Sequence, residues 1–334
     1  MRRTSFGRTG LEISEVALGG GITGGILINA AEATRWSALA RAVAGGINWI
    51  DTAPLYGNGA SEETIGRHLS VLTPQPHIAT KVRLEHDDLA DIPGAIERSL
   101  EQSLKRLRLD RVALLQLHNK IGPAAGEQVR PAAGDQVRLM PWQVLGAVAD
   151  TFDRFKDEGL ILASGITAVG DTHACLEVIE SGRFDAAQVY YNAINPSAAW
   201  SRTSAAWKGQ KFCGIISSCW RLNMGVLAIR VWAGGPLASP QRPDKLTMMT
   251  SDTDLDNEMR CAAAVRAALG THHGTPAQVG LRFTLGNRDL SSRVIGITEL
   301  AYLDEALAAV ERGPLPPDAI AKLDQLWATD FYMG

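Results

Sequence analysis

Short apolar runs alternate along this chain with longer stretches whose apolar positions recur at helical spacing. The runs are Ile13–Leu18, Ile47–Ile50, His77–Val82, Val112–His118, Leu160–Thr167, Ala187–Tyr191, Gly225–Val231 and Arg293–Thr298. Between them, Arg35–Ala44, a stretch from Ser61, Ile92–Leu107, Trp142–Asp157 and Thr172–Glu180 read as helices, and Leu300–Glu311 and Asp318–Leu326 follow the last run. Gly45-Gly46 closes the first of these helices, as a left-handed cap would. Eight strands alternating with helices predict a (β/α)8 TIM barrel, one α/β domain over residues 1–334. An open doubly wound sheet is the alternative, but Gly19-Gly20-Gly21-Ile22-Thr23-Gly24-Gly25 is glycine-rich without the Gly-x-Gly-x-x-Gly register that such a sheet carries.

Two stretches break the alternation. Ala124–Arg130 and Ala132–Arg138 are near-repeats, Ala-Ala-Gly-Glu-Gln-Val-Arg and Ala-Ala-Gly-Asp-Gln-Val-Arg, and read as an insertion loop of about 121–140 after the fourth strand. Residues 234–256, rich in Gly, Pro, Ser and Asp, read as a long loop after the seventh. Both would lie at the C-terminal face, where barrels place their chemistry.

Composition narrows the function. A formal net charge of -3 gives no footprint for nucleic acid, and no apolar run is long enough to span a bilayer. The N-terminus has charge but no apolar core behind it, so the expected compartment is the cytoplasm. Cys175, Cys213, Cys219 and Cys261 match neither a zinc spacing nor a disulfide framework, and His272-His273 has no acidic or thiol partner at ligand spacing; no metal is expected.

Titratable residues gather at the C-terminal ends of three adjacent strands. The second ends in Asp51 and leads to Tyr56, the third carries Lys81 near its end, and the fourth ends in His118. A buried charge is costly without a partner, and a Lys81–Asp51 pair removes that cost. A nearby ammonium favours phenolate, so Lys81 is expected to draw the Tyr56 pKa down from about 10. Tyr56 could then give a proton to a carbonyl oxygen or take one from an alcohol, with His118 donating a hydrogen bond to the same oxygen.

The stretch Gly46-Ile47-Asn48-Trp49-Ile50-Asp51-Thr52-Ala53-Pro54-Leu55-Tyr56-Gly57, with Ser61-Glu62-Glu63, Gly66, Ala79-Thr80-Lys81 and Leu115-Gln116-Leu117-His118, resembles the aldo-keto reductase signature. The resemblance runs from Phe6 to the last helix. It implies a barrel that binds NAD or NADP without a Rossmann fold and a catalytic tetrad of Asp51, Tyr56, Lys81 and His118.

Implied cofactor contacts are Gly20, Gly21, Thr167, Gln188, Ile229, Arg230, Gly296, Thr298, Glu299, Tyr302 and Glu305. Several depart from the family pattern. Its Ser-Asn after the fifth strand is Thr167-Ala168, its stacking aromatic after the seventh is Ile229, and its basic residue facing a 2′-phosphate is Tyr302 with Glu299 nearby. A carboxylate would repel that phosphate but can accept from a ribose hydroxyl, which favours NAD over NADP; Arg293 and Arg230 are the residues able to reverse this. The variants Gly165-Ile166-Thr167, Ala228-Ile229-Arg230-Val231 and Asn195-Pro196-Ser197-Ala198 resemble the galactose, fucose and threo-aldose 1-dehydrogenase branch. That branch implies a sugar substrate. The alternatives are an NADPH-dependent aldehyde or ketone reductase and a redox-sensing partner protein.

Overall fold

A strand covered on both faces has no polar side to show, so its sequence is continuously apolar. Val16–Gly19 (β1), Trp49–Asp51 (β2), His77–Val82 (β3), Leu114–Leu117 (β4), Ser164–Thr167 (β5), Ala186–Tyr190 (β6), Gly225–Ile229 (β7) and Ser292–Gly296 (β8) follow this rule. In the computed structural model, which describes residues 1–21, 24–122, 137–243 and 255–331, these strands close into one parallel barrel. Each pairs with its neighbours in chain order, and β8 returns to β1 with Val294 opposite Ala17. The expected (β/α)8 architecture is the one observed.

Helices cover the outside. They are Glu32–Ala44 (α1), Ala60–His68 (α2), Ile92–Leu107 (α3), Ala149–Asp157 (α4), Thr172–Glu180 (α5), Ile215–Arg221 (α6), Leu255–Leu269 (α7), Pro276–Leu285 (α8), Leu300–Arg312 (α9) and Pro317–Ala328 (α10). The helical stretch expected from Trp142 bends at Val144–Val148, where Gly146 leaves helical geometry (φ -92, ψ -105) before α4 resumes. Such one-turn widenings are a recognised cause of helix kinks.

The first apolar run is two strands. Glu12–Ser14 pairs antiparallel with Arg3–Ser5, while the barrel strand starts only at Val16. Both halves are buried, so apolar continuity alone conceals the break at Glu15. The hairpin closes the N-terminal end of the barrel. Phe6, Leu11 and Ile13 pack there with Trp49, Leu114 and Leu227 and with the small residues Ala17, Ala79, Ala113, Ala163 and Ala186. The Phe6 and Trp49 ring centroids are 4.8 Å apart, and a Cβ on Gly225 would lie 2.4 Å from the Phe6 ring. Among the described residues, side chains fill this end of the barrel.

Residues 123–136 of the expected insertion lie outside the described residues; its flanks, Lys120–Ile121 and Arg138–Leu139, pair as two short parallel strands. The loop expected at 234–256 is described to residue 243 and again from Leu255, where α7 begins, two residues before the expected end.

Helix α2 is anchored by a fully buried carboxylate. Glu62 accepts from Thr80 Oγ1 on β3 at 2.6 Å and from Arg106 Nε on α3 at 2.7 Å. Removing it leaves two donors unanswered, one of them charged. Glu62→Ala should therefore lower stability by about 3 kcal/mol, read as a fall in the chemical-denaturation midpoint; an unchanged midpoint would show that the pair contributes nothing net.

Candidate active site

The second, third and fourth strands deliver the four expected residues to one mouth. Asp51 is the last residue of β2, Lys81 lies one residue before the end of β3, and His118 follows β4, its N–H held by Val82 O at 2.8 Å. Tyr56 sits in the turn between β2 and α2, with its N–H on Ala53 O and its carbonyl accepting from Ser61 N.

Lys81 is 1 % exposed and Asp51 3 %, and they form a contact of 2.5 Å between Nζ and Oδ1. A second Lys81 N–H goes to Thr52 O at 2.9 Å. Burial by itself would pull the Lys81 pKa down, but Asp51 and Tyr56 outweigh it and hold it above its ordinary value. Lys81 is therefore a permanent cation, with Nζ 4.9 Å from the centroid of the Tyr56 ring.

Burial dominates at Tyr56. It pushes the phenol pKa above its ordinary value, and the downward pull of Lys81 offsets only part of this. The expected net lowering is thus corrected: without a ligand the phenol is a protonated donor, because loss of hydration costs the phenolate more than the ammonium returns. His118 packs edge-on against Tyr56, the rings 5.8 Å apart at 86°. Burial, reinforced by Lys81 and Arg83, lowers its pKa to about 3, so the imidazole is neutral at working pH. Its Nδ1 is buried and has no hydrogen-bond partner among the described residues.

Two residues beyond these four complete the centre. Asp51 Oδ2 accepts from Gln188 Nε2 at 2.6 Å and from Gln116 Nε2 at 3.3 Å. Gln116 stood in the matched stretch with no role assigned, and Gln188 was expected at a cofactor. Its amide nitrogen is instead committed to Asp51. The two glutamines hold the carboxylate from β4 and β6 while Lys81 holds it from β3.

Of the remaining expected residues, Thr167 ends β5 with its Oγ1 buried and without a partner among the described residues, and Ala168 beside it is fully buried. Gly20 and Gly21 follow β1; a Cβ on Gly21 would touch the Tyr56 ring at 3.3 Å, so the turn lies against that phenol. Ile229 ends β7 and Arg230 follows it. Gly296 ends β8, and Thr298, Glu299 and Tyr302 are exposed beyond it at the start of α9. Glu305 is engaged by the Thr275 hydroxyl. Arg293 does not reach the mouth: it is fully buried, and its guanidinium donates to the carbonyls of Thr284, Asn287 and Leu290. It ties β8 to the end of α8 and the segment beyond it, and so does not bear on cofactor choice as expected. Trp200 and Trp207 join Trp327 in an edge-to-face cluster, whereas Trp142 is 71 % exposed.

A closed parallel barrel with its polar groups gathered at the C-terminal mouth defines the class as a barrel enzyme framework. The chain belongs to the Aldo/keto reductase family, whose model matches residues 15–328. It is 25% identical over 314 residues to L-galactose dehydrogenase of Arabidopsis thaliana, covering 92% of this chain and 87% of that protein. It is 24% identical over 331 residues to D-threo-aldose 1-dehydrogenase of a Pseudomonas species, with 89% of each covered. The solved holo form of an aldo-keto reductase from Bacillus halodurans superposes with a TM-score of 0.71 over 99% of this chain and 98% of that one, at 19% identity. The family is one of oxidoreductases that generally use NAD(P)H. Among the described residues, no helix is long and apolar enough to cross a membrane.

Proposed function

We propose that this chain is an NAD(P)-dependent oxidoreductase that moves a hydride between nicotinamide and a carbonyl or alcohol, with an aldose oxidised at C1 as its substrate class. The observation that carries this is the buried Asp51–Lys81 ion pair set beside Tyr56 and a neutral His118. Bound nicotinamide supplies or accepts the hydride.

The residues present fit that group. The orphaned Thr167 Oγ1 is a polar atom awaiting a partner, and Gln188, though its nitrogen is taken by Asp51, keeps its carbonyl oxygen as an acceptor for a carboxamide. Ile229 offers an aliphatic face in place of an aromatic one. The first turn of α9 has no side-chain cap, so its N–H groups are available to phosphate oxygens beside Gly296 and Thr298.

In the reduction direction Tyr56 donates its proton to the developing alkoxide. Lys81, fixed by Asp51, stabilises the phenolate that is left, and His118 donates through Nε2 to the same oxygen. Oxidation runs the transfer backwards. The pH behaviour follows from the charge states. Because His118 has its pKa near 3, activity should show no limb around pH 6.5; because the Tyr56 pKa is raised, reduction should stay level through neutral pH and fall only in alkali. A titration step near pH 6.5 that disappears in His118→Gln would contradict this.

The resemblance aligns Glu299 and Tyr302, both exposed, with the position that meets a 2′-phosphate, and Arg293 is buried away from the mouth. Titration by fluorescence quenching should therefore give tighter binding for NADH than for NADPH, and the reverse order would overturn the preference. The aldose reading is supported by the two relatives named for sugar dehydrogenation. Absorbance at 340 nm with NAD or NADP and panels of aldoses and aldehydes tests it. Turnover of aldehydes with NADPH alone would favour the reductase reading, and retained cofactor without turnover would favour a redox-sensing partner protein.

A further inference from the structure

Asp51, Gln116 and Gln188 come from β2, β4 and β6, which are alternate strands of the ring of eight. Side chains from alternate strands of a parallel barrel share one interior layer, and such layers are ordinarily filled by branched apolar residues. Two residues earlier on the same three strands the layer is apolar: Trp49, Leu114 and Ala186 belong to the cluster at the N-terminal end. One layer higher the rule is broken. The three side chains there are polar, and none is more than 3 % exposed.

Their contacts are not those of a packing layer. Asp51 presents Oδ1 to Lys81 and Oδ2 to both amides, with Gln188 Nε2 at 2.6 Å and Gln116 Nε2 at 3.3 Å. Gln116 makes its contact at a cost. Its Oε1 is buried with no partner among the described residues, a penalty that an apolar side chain of the same size would not carry. The neighbouring strand leaves room for it: Gly165 on β5 pairs with Gln116, and a Cβ there would lie 3.1 Å from Gln116 Cγ.

A carboxylate held by N–H donors on both oxygens cannot turn about its Cβ–Cγ bond without losing them. The aim of Oδ1 decides where the Lys81 ammonium sits, and Nζ lies 4.9 Å from the centroid of the Tyr56 ring. We propose that Gln116 and Gln188 are positioning residues for proton transfer: by holding Asp51 Oδ2 from across the barrel they fix Oδ1 on Lys81, and so fix the cation beside Tyr56. Gln116 acts through Asp51 alone, whereas Gln188 does so in addition to the carboxamide contact given above. This deepens the proposed reaction and rests on Tyr56 as its proton carrier.

The test is a double-mutant cycle between Gln116 and Asp51, read in rate and in stability. Gln116→Met keeps the length of the side chain and removes its donor. It should lower kcat about tenfold with KM and affinity for reduced cofactor unchanged, but less than about twofold in an Asp51→Asn background, where the charge it holds is gone. The denaturation midpoint should follow the same pattern, the change costing more beside the carboxylate than beside Asn. Gln116→Glu supplies a carboxylic acid that donates as the amide does until it ionises beside Asp51. Its kcat for reduction should match the native value in acid and fall through neutral pH, where the native and Gln116→Met profiles are level. Equal losses in both backgrounds are what loosened packing produces and would overturn the proposal, as would a Gln116→Glu profile parallel to the native one. The midpoint cycle needs no substrate. Non-additive midpoints without native turnover would overturn the hydride reading and leave the tie to Asp51 standing; native turnover with additive costs would overturn this proposal alone.

Discussion

Tyr56→Phe should reduce kcat by about 10² to 10⁴ while cofactor affinity stays as it is. The substitution removes one oxygen from a site whose other groups remain in place, and the ring still fills the space against Gly21 and His118. What is lost is the hydroxyl of the ring that lies by Lys81 and packs against the neutral imidazole. Steady-state turnover at 340 nm, paired with quenching of protein fluorescence by the reduced cofactor, separates the two effects. Near-normal kcat in Tyr56→Phe would mean that the proton travels by another route.

The second large effect is expected at Lys81, and there it should appear in stability as well as rate. Among the described residues, Lys81→Met leaves the Asp51 carboxylate in a nearly dry site with two amide donors and takes the Lys81 donor from Thr52 O. Removing one partner of a buried ion pair costs about 3–5 kcal/mol, because the remaining charge stays uncompensated. The same change withdraws the close cation from the phenolate and raises the pKa of Tyr56 further. Denaturant unfolding of Lys81→Met and of the double variant Asp51→Asn with Lys81→Met checks the cause. The double variant should regain most of the lost stability and none of the activity. If it is as unstable as the single variant, the penalty comes from packing rather than from a stranded charge.

The sequence reveals most about this molecule where a functional position coincides with a strand end. Asp51, Lys81 and His118 could be placed together because each closes or nearly closes an apolar run, and a parallel barrel brings all such ends to one face. Residues that act sideways across the barrel are not visible in this way. Gln116 and Gln188 reach Asp51 because they point inward from β4 and β6, a fact of register that a run of buried residues does not disclose. Glu258 lies on a helix beyond the long loop, and only the closed fold brings it to Tyr190.

Arg293 shows the opposite failure. A basic residue in the last strand suggested a phosphate contact, yet alternation along β8 turns it outward to three carbonyls beyond the sheet. The net effect on Tyr56 escapes the sequence for a different reason: the sequence shows which charges are near, but not how dry the site is. Burial reverses the sign there.

The central claim is that this site transfers hydride between nicotinamide and a carbonyl carbon. It is tested most directly by incubating the protein with cofactor doubly deuterated at nicotinamide C4 and a panel of aldehydes and aldonolactones, then locating the label by mass spectrometry. The account predicts one deuterium on the former carbonyl carbon of the product, formed by the native protein and at least about a hundredfold more slowly by Tyr56→Phe. A reduced product without deuterium at that carbon, or oxidised cofactor with no reduced product, would contradict it.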